Sequence, residues 1–139
     1  MKVEELKIGN FVHLEGKPFK VIGINPPYID LLGNGDRIRM CDVDKDILQP
    51  IPITEELLLK IGFKKKRDGY LHYSDHNDEF SIKFDLGYAF IEYANLCFNP
   101  EDITETNYGS SLEFPNTLHL HTLQNIWHLL TGKELEIKI

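Results

Sequence analysis

Three histidines fall within ten positions in the stretch LHLHTLQNIWHLLTGKEL, Leu118 to Leu135 of the 139-residue chain. Imidazole serves as a metal ligand and as a general base near neutral pH, so spacing decides what these residues can do together. In an extended backbone His119 and His121 project to one face and could share an ion with ligands from elsewhere. In a helix beginning near His121, His121 and His128 stand about two turns, or roughly 10 Å, apart, too far for a single ion. An amphipathic helix accounts for nearly every residue: Leu123, Ile126, Trp127 and Leu130 form an apolar stripe, and Gly132 ends it in a left-handed conformation. His121, Gln124, Asn125 and His128 are then expected on the opposite, wet side. His121, Gln124 and Asn125 are the candidates there for contact with a partner. No structural metal and no cofactor are expected; His119 and His121 are the residues a metal would use.

Other ligand-bearing runs fail on geometry. Asp42, Asp44 and Asp46 match the first, third and fifth positions of a calcium loop, but its sixth and twelfth positions hold Ile47 and Ile53 instead of Gly and Glu. His72, Asp75, His76 and Asp78 coincide with a polar hairpin turn and are expected to splay into water rather than converge. Gly33-Asn34-Gly35 lacks the third glycine and the following helix of a phosphate cradle. No GxSxG, HExxH or GKS/GKT motif occurs. Cys41 and Cys97 are far apart, form no disulfide framework and read as reduced core thiols.

Charge constrains the partner. The formal charge is -7, which opposes a phosphate backbone unless cations gather on one face. The basic run Lys64-Lys65-Lys66-Arg67 leads into Asp68-Gly69 and reads as a solvated hairpin end. Together with Tyr28, Arg37 and Arg39 it supplies the candidates if nucleic acid were the partner, which the acidic balance disfavours. With no apolar signal core and no membrane-length run, a cytoplasmic protein is expected.

These residues need a frame. The first fifty positions alternate in short strands with turns at Glu15-Gly16 and Gly33-Asn34-Gly35, and Pro50 and Pro52 confine DILQPIPI to an edge. Residues 1–53 are expected to be an SH3-like β lobe, a small barrel. Residues 54–139 are expected to be an α+β lobe sharing one compact unit with it: a helix capped by Thr54 and stopped by Gly62, a meander of strands, and the C-terminal helix closing the core. Turns are expected at Asp68-Gly69, at Asp75 to Asp78 and near Gly87. Asn99-Pro100-Glu101-Asp102 has the form of a helix start, so the stretch from Asn99 to Asn116 is expected to hold at least one helical turn. The fold class is α+β, mainly antiparallel.

The stretch HTLQNIWHLLTGKEL resembles an H-x-L-Q-N-hydrophobic-x-x-L-T-G-x-E-L terminal signature. It belongs to a family of small uncharacterised bacterial proteins associated with phage and mobile elements. His121, Leu123, Gln124, Asn125, Leu130, Thr131, Gly132, Glu134 and Leu135 match it, and Trp127 and His128 fall at its variable positions. LKIGNFVHLEGKPFKVIGI and LQPIPITEELLLKIGF also look like that family's opening strands and central helix start, which extends the resemblance to about half the chain. It implies the architecture and a mobile-element origin, and no enzymatic activity. The expected function is a non-catalytic binding or accessory module acting on a protein partner, with a nucleic-acid accessory protein second and a metal-dependent hydrolase third. The sequence assigns no oligomeric state.

Overall fold

The computed structural model describes residues 1–33, 35–85, 88–99, 104–115 and 118–137. The protein is α+β, with mostly antiparallel sheets and two α-helices. It divides into two compact units, Met1–Ile53 with His119–Leu135, and Thr54–Leu118 with Glu136–Ile139.

The first unit opens with a 3-10 turn, Val3–Glu5, followed by β1 (Phe11–Leu14), β2 (Lys17–Asn25), β3 (Tyr28–Gly33) and β4 (Ile38–Asp44). A second 3-10 turn, Lys45–Ile47, leads into β5 (Leu48–Gln49). The antiparallel order is β4-β3-β2-β1-β5, so among the described residues hydrogen bonds do not close the sheet into a barrel. Glu15 and Gly16 both take positive φ (52° and 76°), the two-residue turn that matches strand twist. Val12, Leu14, Phe19, Val21, Ile29, Leu31, Val43 and Leu48 point inward with Leu6 as the core. Register shifts at Val21/Gly23 and Ile29/Leu31 add local twist. Gly33 is required by close approach: a β-carbon there would stand 2.5 Å from the Phe19 ring.

The chain leaves this unit after Ile53 and returns at His119, where Pro52 bridges His119 and the Leu120 amide donates to Ile51 O at 2.8 Å. The C-terminal helix α2 (Leu120–Thr131) therefore packs in the first unit, whereas its sequence position suggested the second.

The second unit begins with α1 (Glu55–Lys60), where Thr54 Oγ1 accepts from the Leu57 amide at 3.1 Å. Gly62 (φ 115°) and the Phe63 amide bonded to Leu58 O finish it. A meander follows: β6 (Lys64–Lys65), β7 (Leu71–Asp75), β8 (Asp78–Asp85), β9 (Tyr88–Asn99) and β10 (Thr104–Pro115), in the order β10-β9-β8-β7-β6. Leu71, Phe80, Ile82, Ala89 and Ile91 are buried, with Ile82 opposite both Leu71 and Ile91. The expected helical turn after Asn99 is corrected where it can be seen: Asn99 ends β9, and Thr104–Pro115 is a strand paired with β9 along its whole length. Residues 100–103 lie outside the described residues, as do Gly87 and Asn34 in two expected turns.

Candidate functional site

The helix α2 forms much as its sequence implies. Leu120, Leu123 and Trp127 are fully buried, while Ile126 and Leu130 are only half-buried. Gly132 adopts φ 72° and donates its amide to His128 O at 2.8 Å.

The polar side of the helix departs from expectation: His121 and Gln124 are 1% and 2% exposed, so neither faces water. Gln124 instead substitutes for a missing strand partner. Its Oε1 accepts from the Phe11 amide at 2.9 Å, and its Nε2 donates to Gly9 O at 3.0 Å. Asn125 donates to Glu5 O at 3.1 Å and accepts from Asn10 Nδ2 at 2.9 Å. Asn10, itself buried, accepts from the Lys7 amide at 2.7 Å. Two consecutive side-chain amides thus hold the segment before β1, whose Gly9 amide and Asn10 carbonyl also bond the Val21 backbone. Sequence reasoning could see that these residues were polar, but not that their partners lie at the other end of the chain.

His121 is different. Neither ring nitrogen has a hydrogen-bond partner, and Nε2 lies 3.8 Å from Glu5 Oε2, beyond hydrogen-bond reach. Burial pushes its pKa below the ordinary histidine value and neighbouring His119 adds to that, while the Glu5 carboxylate acts in the opposite direction. The His119 and His121 rings stack 5.6 Å apart, only 19° from parallel. Lone pairs lie in the ring planes, so two nearly parallel rings do not aim them at one ion. Among the described residues no group of three or more His, Cys, Asp or Glu is placed to hold a metal.

Between the Val3–Glu5 turn and α2 runs an open groove of about 590 Å³. Glu4, Glu5 and Lys7 form one wall; His119, Asn125, Ile126 and Leu129 belong to α2 and the residue before it. Leu129 is 80% exposed, the most exposed large apolar side chain among the described residues.

The remaining candidates do not assemble into a site. Asp44 Oδ1 accepts from the Asp46 amide and Asp30 Oδ1 from the Asp42 amide, so the acidic run shapes a strand end. Asp78 does not splay into water: it is buried and accepts from Tyr93 Oη at 2.6 Å and Asn95 Nδ2 at 2.9 Å. His76 is exposed and paired with Asp75, whereas His72 lies on the other face of β7. Cys41 is exposed rather than in the core, and the side chain of Cys97 lies outside the described residues. Tyr28 pairs in register with Asp44 and Arg39 with Leu32, so this tyrosine and Arg37 and Arg39 occupy opposite ends of the β3–β4 hairpin, about 13 Å apart. Lys64 to Arg67 are exposed on the other unit, with Lys65 paired to Glu55 and Lys66 3.8 Å from Glu79.

One constellation was missed in the sequence. His72 Nδ1 lies 2.6 Å from Glu79 Oε1 and 2.9 Å from Ser81 Oγ, and Nε2 lies 3.2 Å from Asp68 Oδ2. The residue types suggest a nucleophile with its base. The arrangement is not that of an activated serine, because Glu79 and Ser81 both contact Nδ1, so the serine shares that nitrogen with a carboxylate. The Tyr70 amide and then His72 hold the Asp68 carboxyl below its ordinary value. Register placed Ser81 opposite His72, and no local signal announces such a cross-strand neighbour. Comparison with protein-family models, with curated proteins and with solved structures finds no match to this chain.

Proposed function

We propose that this protein is a non-catalytic binding module that docks a segment of a protein partner in the groove between the Val3–Glu5 turn and α2. The observation that carries this reading is Leu129, 80% exposed beside half-buried Ile126 on a helix whose other large apolar side chains are mostly enclosed. Glu4 and Glu5 on the opposite wall, in a chain of charge -7, favour a segment that presents an apolar side chain next to a lysine or arginine. Asn125 is the sequence-derived candidate that remains at the groove; His121 and Gln124 act behind it. Ser81 shares His72 Nδ1 with the Glu79 carboxylate, which supports binding over hydrolysis.

The finer architecture belongs to the same proposal. A four-strand meander, a 3-10 turn at Lys45–Ile47 and a last strand returning beside β1 support an SH3-like reading of the first unit. The terminal signature supports membership of the phage-associated family described above. A cytoplasmic location fits this reading; no helix among the described residues is long and apolar enough to cross a membrane.

A random peptide library selected on the wild-type protein, then on Leu129→Asp, tests the docking. The expected result is a family of apolar-plus-basic peptides that bind the wild type and lose affinity at least tenfold on the variant, at unchanged melting temperature. Peptides that bind both proteins equally, or an oligonucleotide that shifts the protein while no peptide does, would overturn it.

A further inference from the structure

We propose that His121 is a proton-operated latch: neutral, its ring seats the Val3–Glu5 turn against α2, and on gaining a proton it releases that turn. The inference does not rest on the docking reading, because its test needs no partner.

The geometry carries it. Buried polar groups in native proteins nearly always have a partner, so an imidazole 1% exposed with two unpaired nitrogens calls for an explanation. In its neutral form the ring behaves as an apolar filler, stacked on His119. In its charged form both nitrogens become donors, and neither has an acceptor within reach where it sits. Glu5 is the nearest relief at 3.8 Å, with its side chain 53% exposed toward the groove. Closing that gap requires Glu5 and the ring to shift toward each other, which disturbs the seat of the turn that carries Glu5. That movement occurs in the first turn of α2, one turn before Gln124 and Asn125, whose bonds to Gly9, Phe11 and Glu5 hold the segment down.

The other charged groups around this slot do not replace Glu5. His119 stacks on the ring and opposes its charge. Glu4 and Lys7 line the groove beyond Glu5, and β1, which packs on α2, contributes His13. Glu134 lies near Gly9 and 3.7 Å from His128, at the far end of the helix. The sign follows from burial. The pKa is lower in the folded protein than in the unfolded chain, so the unfolded or released form binds the proton more readily. The seat is fully stable above about pH 6.5, the unfolded value, and weakens as pH falls below it toward the folded value.

Amide hydrogen exchange, expressed as protection factors from pH 7.5 to 5, reads the latch. Protection of the Leu6 and Asn10 amides, which close the turns onto Val3 O and Lys7 O, is expected to fall about tenfold, while that of the β2–β3 ladder holds. In His121→Leu the same amides should keep their protection across the range. Loss of protection that persists in His121→Leu, or no loss in the wild type, would overturn the latch. Should that variant fail to fold, an NMR titration of the wild-type His121 ring decides instead. A midpoint below that of free histidine, moving with the Leu6 and Asn10 amides, is expected; a midpoint at or above it, or a ring that titrates without those amides, overturns the proposal.

Discussion

The two units hold themselves together over very different distances along the chain. In the first, the side chains of Gln124 and Asn125 bond to residues 113 to 120 positions away. In the second, Asp78 gathers Tyr93 and Asn95 from 15 and 17 positions away, and the strands follow one another as a simple meander. Closing a long loop costs more chain entropy than closing a short one, though the cost rises only logarithmically. The first unit therefore needs well-made bonds at its seam, and it has them: the glutamine amide satisfies one donor and one acceptor of the segment before β1 at once. The same seam holds His121, whose two ring nitrogens have no hydrogen-bond partner. Stability and vulnerability thus meet on one turn of helix in the first unit, whereas the second spreads its polar contacts over neighbouring strands.

The largest expected effect tests whether the seam depends on what lies beneath it. Trp127 is fully buried, and Trp127→Ala should destabilise the protein by about 3–5 kcal/mol through lost burial and the cavity left behind. Denaturant unfolding followed by amide exchange should show the loss concentrated in β1, β2 and the Val3–Glu5 turn. A loss confined to β7 and β8 would reverse the comparison.

Gln124→Ala comes next. It leaves the half-buried Phe11 amide and Gly9 carbonyl without their partner, at about 1–3 kcal/mol for each group left unsatisfied. Asn125→Ala should cost less, since its contacts are partly solvated and water can replace them. Equal effects from the two would mean that the buried seam is not what holds the segment.

That contrast also explains what could be read before the structure. The turn at Glu15-Gly16, the Thr54 cap, the Trp127 stripe and the Gly132 stop were legible, since each depends on residues within a few positions of one another. The burial of His121 and Gln124 was not. Amphipathic periodicity assigns polar residues to water, and only the fold brings Glu5 to Phe11 over them. The strand Thr104–Pro115 was hidden for a related reason. Its residues TETNYGSSLEFP show little apolar alternation, and the Asn99-Pro100 pair imitates a helix start; β9 supplies the ladder that makes it a strand. The cluster around His72 needed the β7–β8 register, which no local signal carries.

A change in the second unit sharpens the comparison at smaller amplitude. Tyr93→Phe removes one of the donors to the buried Asp78 carboxylate and should cost about 1.5–3 kcal/mol at neutral pH. Denaturant unfolding of wild type and variant measures the difference. No loss would show that Tyr93 acts through packing on Phe80, with which it makes an edge-to-face contact at 6.1 Å.

The smallest expected effect isolates a purely local contribution at the end of the same helix that carries the seam. Gly132 has φ 72°, and nothing lies within 4 Å of where a β-carbon would stand, so Gly132→Ala meets no neighbour. Its cost is then backbone strain alone, about 1 kcal/mol. Gly132→Asn should cost less, because asparagine tolerates the left-handed region better than alanine does. Neither substitution should alter the bonds of Gln124 and Asn125, which lie two turns earlier. Melting temperatures should therefore rank wild type, Gly132→Asn and Gly132→Ala in descending order, with the exchange protection of Leu6 and Asn10 lowered no more than global stability requires. If Gly132→Ala instead loosened those two amides ahead of the rest, the end of α2 would be part of the seam. The division between a local stop and a long-range clamp on this helix would then fail.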